Sequence, residues 1–120
     1  NFLWWCYCLQ SLDLSTFYNV KIIGNQFIVE SYLTTIDLSP LTSIEQIGNN
    51  FLYNSQRLTT LYLPNKSPTT FTTCESYFMA NVPSDCILYT TAEFIGDETH
   101  QGYINTTPWS SRSSKIQIKP

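Results

Sequence analysis

Asp13 and Asp37 lie 37 − 13 = 24 residues apart, each inside a matching tetrapeptide, Leu12-Asp13-Leu14-Ser15 and Ile36-Asp37-Leu38-Ser39. Paired carboxylates can act as general acid and base or can attract a basic partner. Glu45 supplies a third carboxylate, and a sugar-cleaving pair must flank a single bond. Glu45 falls on the far side of the repeat described below, so a hydrolytic pairing is not expected. Two readings stand for the aspartates. They form an acidic stripe for a cationic partner, or they hydrogen-bond neighbouring Ser and Thr hydroxyls and keep the surface wet.

His100, the only histidine, sits in DETHQG beside Asp97 and Glu98. A catalytic histidine needs a nucleophile and an orienting group. The chain has no G-x-S-x-G, no H-E-x-x-H and no phosphate-binding glycine loop, so His100 reads as a solvated loop residue. Cys6, Cys8, Cys74 and Cys86 follow no zinc spacing and have no companion histidine. No metal or cofactor is expected. Cys74 and Cys86 bracket an irregular stretch and could form a disulfide that pins the end of the domain; burial as small hydrophobes is the alternative. Cys6 and Cys8 read as free or as paired with residues upstream. Asn65-Lys66-Ser67 and Asn105-Thr106-Thr107 are glycosylation sequons, with Asn65 and Asn105 the acceptors.

The elements that position these residues come from a repeat. Residues 50–64, NFLYNSQRLTTLYLP, copy residues 1–15, NFLWWCYCLQSLDLS, with Phe2, Leu3, Leu9, Leu12 and Leu14 matching Phe51, Leu52, Leu58, Leu61 and Leu63. QFIVESYLTTIDLSP, residues 26–40, is a third copy. Leu12, Ile36 and Leu61 set a period of 36 − 12 = 24 and 61 − 36 = 25. Such a period marks a stacked array. Leu12-Asp13-Leu14, Ile36-Asp37-Leu38 and Leu61-Tyr62-Leu63 alternate as short strands, aliphatics inward and Asp13, Asp37 and Tyr62 outward. Ser11, Ser15, Thr35, Ser39 and Thr60 flank that outward row, as does Thr59. Stacked aspartates would stand roughly 4.8 Å apart. Gly24 and Gly48 are expected to turn the chain sharply. Phe27 and Phe51 are expected to anchor a helical or 3-10 turn opposite the strands.

The expected fold is a leucine-rich-repeat solenoid, a curved right-handed coil of mostly β and irregular structure. Short parallel strands line one face, and loops with short 3-10 or helical turns line the other. Residues 1–64 hold the repeats, the first incomplete; 65–85 form a degenerate repeat; 86–120 form a C-terminal capping unit. In that unit Ile87-Leu88-Tyr89 and Ile116-Gln117-Ile118 read as last strands, 91–101 as containing a short helix, and Tyr103 and Trp109 as plugs. Trp4 reads as packing. The run FLWWCYCL has no polar cap before it and reads as a repeat segment rather than a leader. The chain is therefore expected to be the end of a longer array or a duplication that lost its start.

The segments SLDLSTFYNVKIIGNQF and TIDLSPLTSIEQIGNNFLYNSQRLTTLYLP resemble the leucine-rich repeats of BspA-like surface proteins. The tail, through Cys86-Ile87, Tyr103, Trp109-Ser110 and Ile116, looks like that family's closing unit. The small or Cys position of the return segment is Cys6 and Ser55 here, with Ser31 approximately aligned. The resemblance implies a curved solenoid at a cell surface that binds other proteins through its faces.

Net charge is −3 and charged residues are 12% of the chain, which gives no phosphate-backbone footprint and argues against nucleic acid. No apolar run reaches membrane-spanning length. The function expected is a non-catalytic protein-binding or adhesion module, cell-surface or secreted, with a host or extracellular protein as ligand. The alternative is a structural spacer or self-associating segment that docks onto further repeats upstream or another copy.

Overall fold

Three alternating residues suffice for a strand in this chain because neighbouring passes supply the hydrogen-bond partners. The computed structural model describes residues 12–120; Ser11, Cys6, Cys8, Trp4 and the rest of residues 1–11 of the first repeat copy lie outside the described residues. Among the described residues the strands are β1 (Ile22–Ile23), β2 (Thr35–Asp37), β3 (Gln46–Ile47), β4 (Thr60–Tyr62), β5 (Thr72–Thr73), β6 (Ile87–Thr90) and β7 (Ile116–Ile118). They make two small parallel sheets, a front sheet ordered β2-β4-β6-β7 and a back sheet ordered β1-β3-β5. Up to β6 the chain visits the two alternately, laying one strand in each on every pass.

Front-sheet register puts Ile36 beside Leu61, Leu61 beside Leu88 and Leu88 beside Ile116. Successive partners are 61 − 36 = 25, 88 − 61 = 27 and 116 − 88 = 28 residues apart. All four side chains are buried. Leu12-Asp13-Leu14, expected as a strand, is not one. Among the described residues β2 is the edge of the front sheet and pairs only with β4, so this segment lacks the ladder that would make it extended, although Leu14 is buried.

The return from back to front is made differently. In each pass every second residue is left-handed: Gln26, Ile28 and Glu30 (φ 64°, 52° and 59°), then Asn50, Leu52 and Asn54 (56°, 57° and 59°), then Tyr77, Met79 and Asn81 (54°, 50° and 64°). None is glycine. The helical or 3-10 turn expected at Phe27 and Phe51 does not form. The alternation instead aims peptide groups along the stack. Gln26 N–H donates to the Asn49 carbonyl (2.8 Å), Leu52 N–H to Phe27 (3.1 Å) and Glu30 N–H to Tyr53 (2.8 Å). The next pass repeats the pattern, Asn50 to Ser76 (3.0 Å), Met79 to Phe51 (2.8 Å) and Asn54 to Ala80 (2.8 Å). Each left-handed non-glycine residue costs about 1–3 kcal/mol. These ladder bonds and the complete burial of Ile28 and Leu52 offset it.

Neither Gly24 nor Gly48 has a positive φ, so a permissive backbone is not why they are glycine. A Cβ on Gly48 would lie 2.4 Å from Asn25 Oδ1 and 2.8 Å from Asn25 N. Gly48 serves a close approach between passes; nothing crowds Gly24.

Between the walls Phe27 and Phe51 stack with centroids 6.1 Å apart, and Phe51 and Phe78 at 5.6 Å. Trp109 closes the column edge-on, 5.0 Å from Phe78 and 5.2 Å from Tyr103. Tyr103 and Trp109 are both fully buried. The Tyr103 hydroxyl donates toward the Pro64 and Lys66 carbonyls (2.9 and 3.0 Å), and burial pushes its phenol far up. Arg112 fixes the last left-handed turn by donating to the carbonyls of Pro83 (2.9 Å), Val82 (3.0 Å) and Met79 (3.2 Å). A one-turn helix, α1 (Ala92–Ile95), follows β6.

Candidate binding face on the front sheet

Parallel pairing with alternate side chains outward builds two rows on the exposed side of the front sheet. Thr35, Thr60 and Ile87 form one; Asp37, Tyr62, Tyr89 and Gln117 form the other. Tyr62 and Tyr89 stack at 5.4 Å with an interplanar angle of 26°, and the Lys119 ammonium lies 4.9 Å from the Tyr62 ring centroid. This arrangement resists reorganisation, because each tyrosine is held by its strand below and its neighbour beside it.

Of the residues expected on this face, Thr35, Asp37, Thr60 and Tyr62 stand in register, with Ser39 just past β2. Asp13 and Ser15 precede the sheet rather than continuing it, because no strand forms at Asp13, so the stacked pair of aspartates is not made. Each aspartate instead closes a local turn. Ser15 N–H donates to Asp13 Oδ1 (2.9 Å), and Ser39 donates to Asp37 Oδ1 through N–H (2.9 Å) and Oγ (2.6 Å). The Ser15 hydroxyl, and then its backbone N–H, hold the Asp13 carboxyl below its ordinary range. Glu45 lies in the back-side ladder, bonding Lys21 and Thr72 through its backbone.

Tyr89 and Lys119 were not singled out from sequence. Ile87-Leu88-Tyr89 has the same inward-outward order as Thr60-Leu61-Tyr62, and that match could have found Tyr89. Lys119 follows a strand without a repeat counterpart, so no signal marked it.

Cys74 and Cys86 are not joined. Cys74 follows β5 of the back sheet and is exposed, whereas Cys86 leads into β6 of the front sheet and is buried. The possible Cys74–Cys86 disulfide is thus not made, and only Cys86 takes the alternative of a small buried hydrophobe. Burial raises the Cys86 thiol to about 11 despite the opposing pull of Arg112. Asn65 is exposed beyond β4. Asn105 is committed to the fold: its Nδ2 donates to the Asp97 and His100 carbonyls (2.9 and 3.3 Å), and its Oδ1 accepts from Gly102 N–H (2.6 Å). A glycan on that nitrogen would disrupt these bonds.

His100 closes another local turn. Asp97 Oδ1 accepts from Thr99 N–H and Oγ1 (2.8 and 2.9 Å) and from His100 N–H (2.8 Å), which together lower its carboxyl to about 2. His100 and Asp97 are both exposed, 81% and 65% by side chain, too open to shield a reacting group from water. Among the described residues no group of three or more His, Cys, Asp or Glu could hold a metal ion, and no helix is long and apolar enough to cross a membrane. Comparison with protein-family models, curated proteins and solved structures gives no match in any of the three.

Proposed function

We propose that the chain is a non-catalytic protein-binding module, a segment of leucine-rich-repeat solenoid with its closing unit, displayed at a cell surface or secreted. Its partner is a protein that docks on the outer rows of the front sheet. The observation that carries this reading is the partly exposed, mutually stacked Tyr62–Tyr89 pair on a hydrogen-bonded sheet. Aromatic side chains supply large contact area at low ordering cost, and tyrosine is enriched where interfaces hold their energy. A sheet that is already ordered adds little reorganisation cost on binding.

The test is selection of binding peptides from a random display library on the intact chain. The selected peptides are then scored against a Tyr62→Ser/Tyr89→Ser double variant and a Tyr32→Ser control. Peptides of the front face lose about tenfold or more on the double variant, as hot-spot truncation does, and keep their affinity for the control. Selected peptides indifferent to both tyrosines would place recognition on another surface.

A further inference from the structure

We infer that a cleft at the carboxyl ends of the front strands is a carboxylate-binding site, so the partner of this face presents a carboxylate there. The inference rests on the protein-binding reading above and adds what the partner must carry. The cleft has a volume of about 80 Å³ and is lined by Ser39, Tyr62, Asn65, Tyr89, Thr91 and Lys119, with Leu63 and Thr90 also at its wall. A single water needs about 10–15 Å³ by the same measure, so the space admits a carboxylate-sized group. Its residues come from consecutive passes, at or just beyond the ends of β2, β4, β6 and β7.

Two observations select an anionic acceptor. Lys119 is the one charged residue lining the cleft, and among the described residues no carboxylate lies within ion-pair distance of it. The nearest row acid, Asp37, is already engaged by Ser39. An ionised carboxylate accepts only, at up to four lone-pair positions, and so complements the Asn65 amide and an ammonium together. A neutral carbonyl would leave the Lys119 charge without a counter-charge. The adjoining tyrosines give an apolar flank for the residue beside that carboxylate.

The experiment is amide-shift mapping of the intact chain with three peptides. Acetyl-Gly-Tyr-Glu-Gly-amide carries a side-chain carboxylate, acetyl-Gly-Tyr-Gln-Gly with a free terminus carries a terminal one, and acetyl-Gly-Tyr-Gln-Gly-amide carries none. At least one carboxylate peptide shifts the amides of Asn65, Thr91 and Lys119 while the neutral one does not, and which of the first two binds names the source. Lys119→Gln weakens that binding about tenfold, the loss of one charge-assisted hydrogen bond, and a Lys21→Gln control leaves it unchanged. Equal binding of all three peptides, or shifts elsewhere, overturns the inference. Display-selected peptides that need the tyrosines but ignore Lys119→Gln sink the carboxylate site alone. Peptides that ignore the tyrosines sink the front-face reading itself.

Discussion

On the front of the molecule Thr35–Asp37 and Thr60–Tyr62 pair through ordinary extended backbone, whereas on the return side Gln26–Glu30 and Asn50–Asn54 pair through residues alternating into the left-handed region. Both devices bond one pass to the next. The front wall uses conformations that any L-residue adopts cheaply, and the return wall uses ones that cost each residue energy. The difference shows that stacking, not local preference, decides backbone shape on the return side. Ile28 illustrates this, since a β-branched residue at φ 52° is an outlier in isolation.

The largest test of that comparison removes the plug under the return wall. Trp109→Ala should cost about 3–5 kcal/mol, as for a fully buried aromatic, because it opens the end of the Phe27–Phe51–Phe78 column. Denaturant unfolding would measure it, and a cost below about 1 kcal/mol would mean that the column does not depend on its closure. Next is Gly48→Ala. Its Cβ would strike the backbone of Asn25, so a loss of about 1–3 kcal/mol is expected; the same change at Gly24, where nothing is crowded, should cost much less. The sharpest contrast is one substitution with opposite signs on the two walls. Gln26→Gly relieves a left-handed residue and should raise stability by about 1 kcal/mol, whereas Thr35→Gly in β2 should lower it by about 0.5–1 kcal/mol. Equal signs in thermal unfolding would erase the distinction drawn here.

The smallest expected effect concerns neither wall. Asp97 has a carboxyl held at about 2 against an ordinary 3.8, so its turn is fully supported above pH 3.8 and loses support as pH falls through about 2. Shifts of the Thr99 and His100 amides should follow that titration while Leu61 and Leu52 stay fixed. Loss of all four together would show one cooperative unit instead.

The front wall was legible because Ile36 and Leu61 sit in alternating triplets that repeat, and Leu88 and Ile116 sit in short apolar triplets of the tail. Tyr103 and Trp109 were legible as large apolar residues in an otherwise polar tail. The back sheet was not, since strands of two residues such as Gln46–Ile47 leave no alternation to read. The left-handed positions were equally silent: Gln26, Leu52 and Met79 are not residues that announce a positive φ, and Gly24 and Gly48 drew attention to the wrong places. At the binding face, Asp37 and Tyr62 could be found from the period. Lys119 could not, because β7 joins the sheet from outside the repeat. Leu12-Asp13-Leu14 carries the right pattern without the neighbour that would make it a strand.

The unequal spacing of the register has a consequence for how such a chain can vary. From front to back strand the path takes 46 − 35 = 11 residues in one pass and 72 − 60 = 12 in the next. From back strand to the first left-handed residue it takes 50 − 46 = 4 and then 77 − 72 = 5. The extra residues are absorbed at the corners, and the paired segments keep step. An insertion inside a paired segment would instead flip inward side chains outward. The corners around Ser67 and Glu75 are thus natural places for length to drift between related chains and for a foreign loop to be grafted.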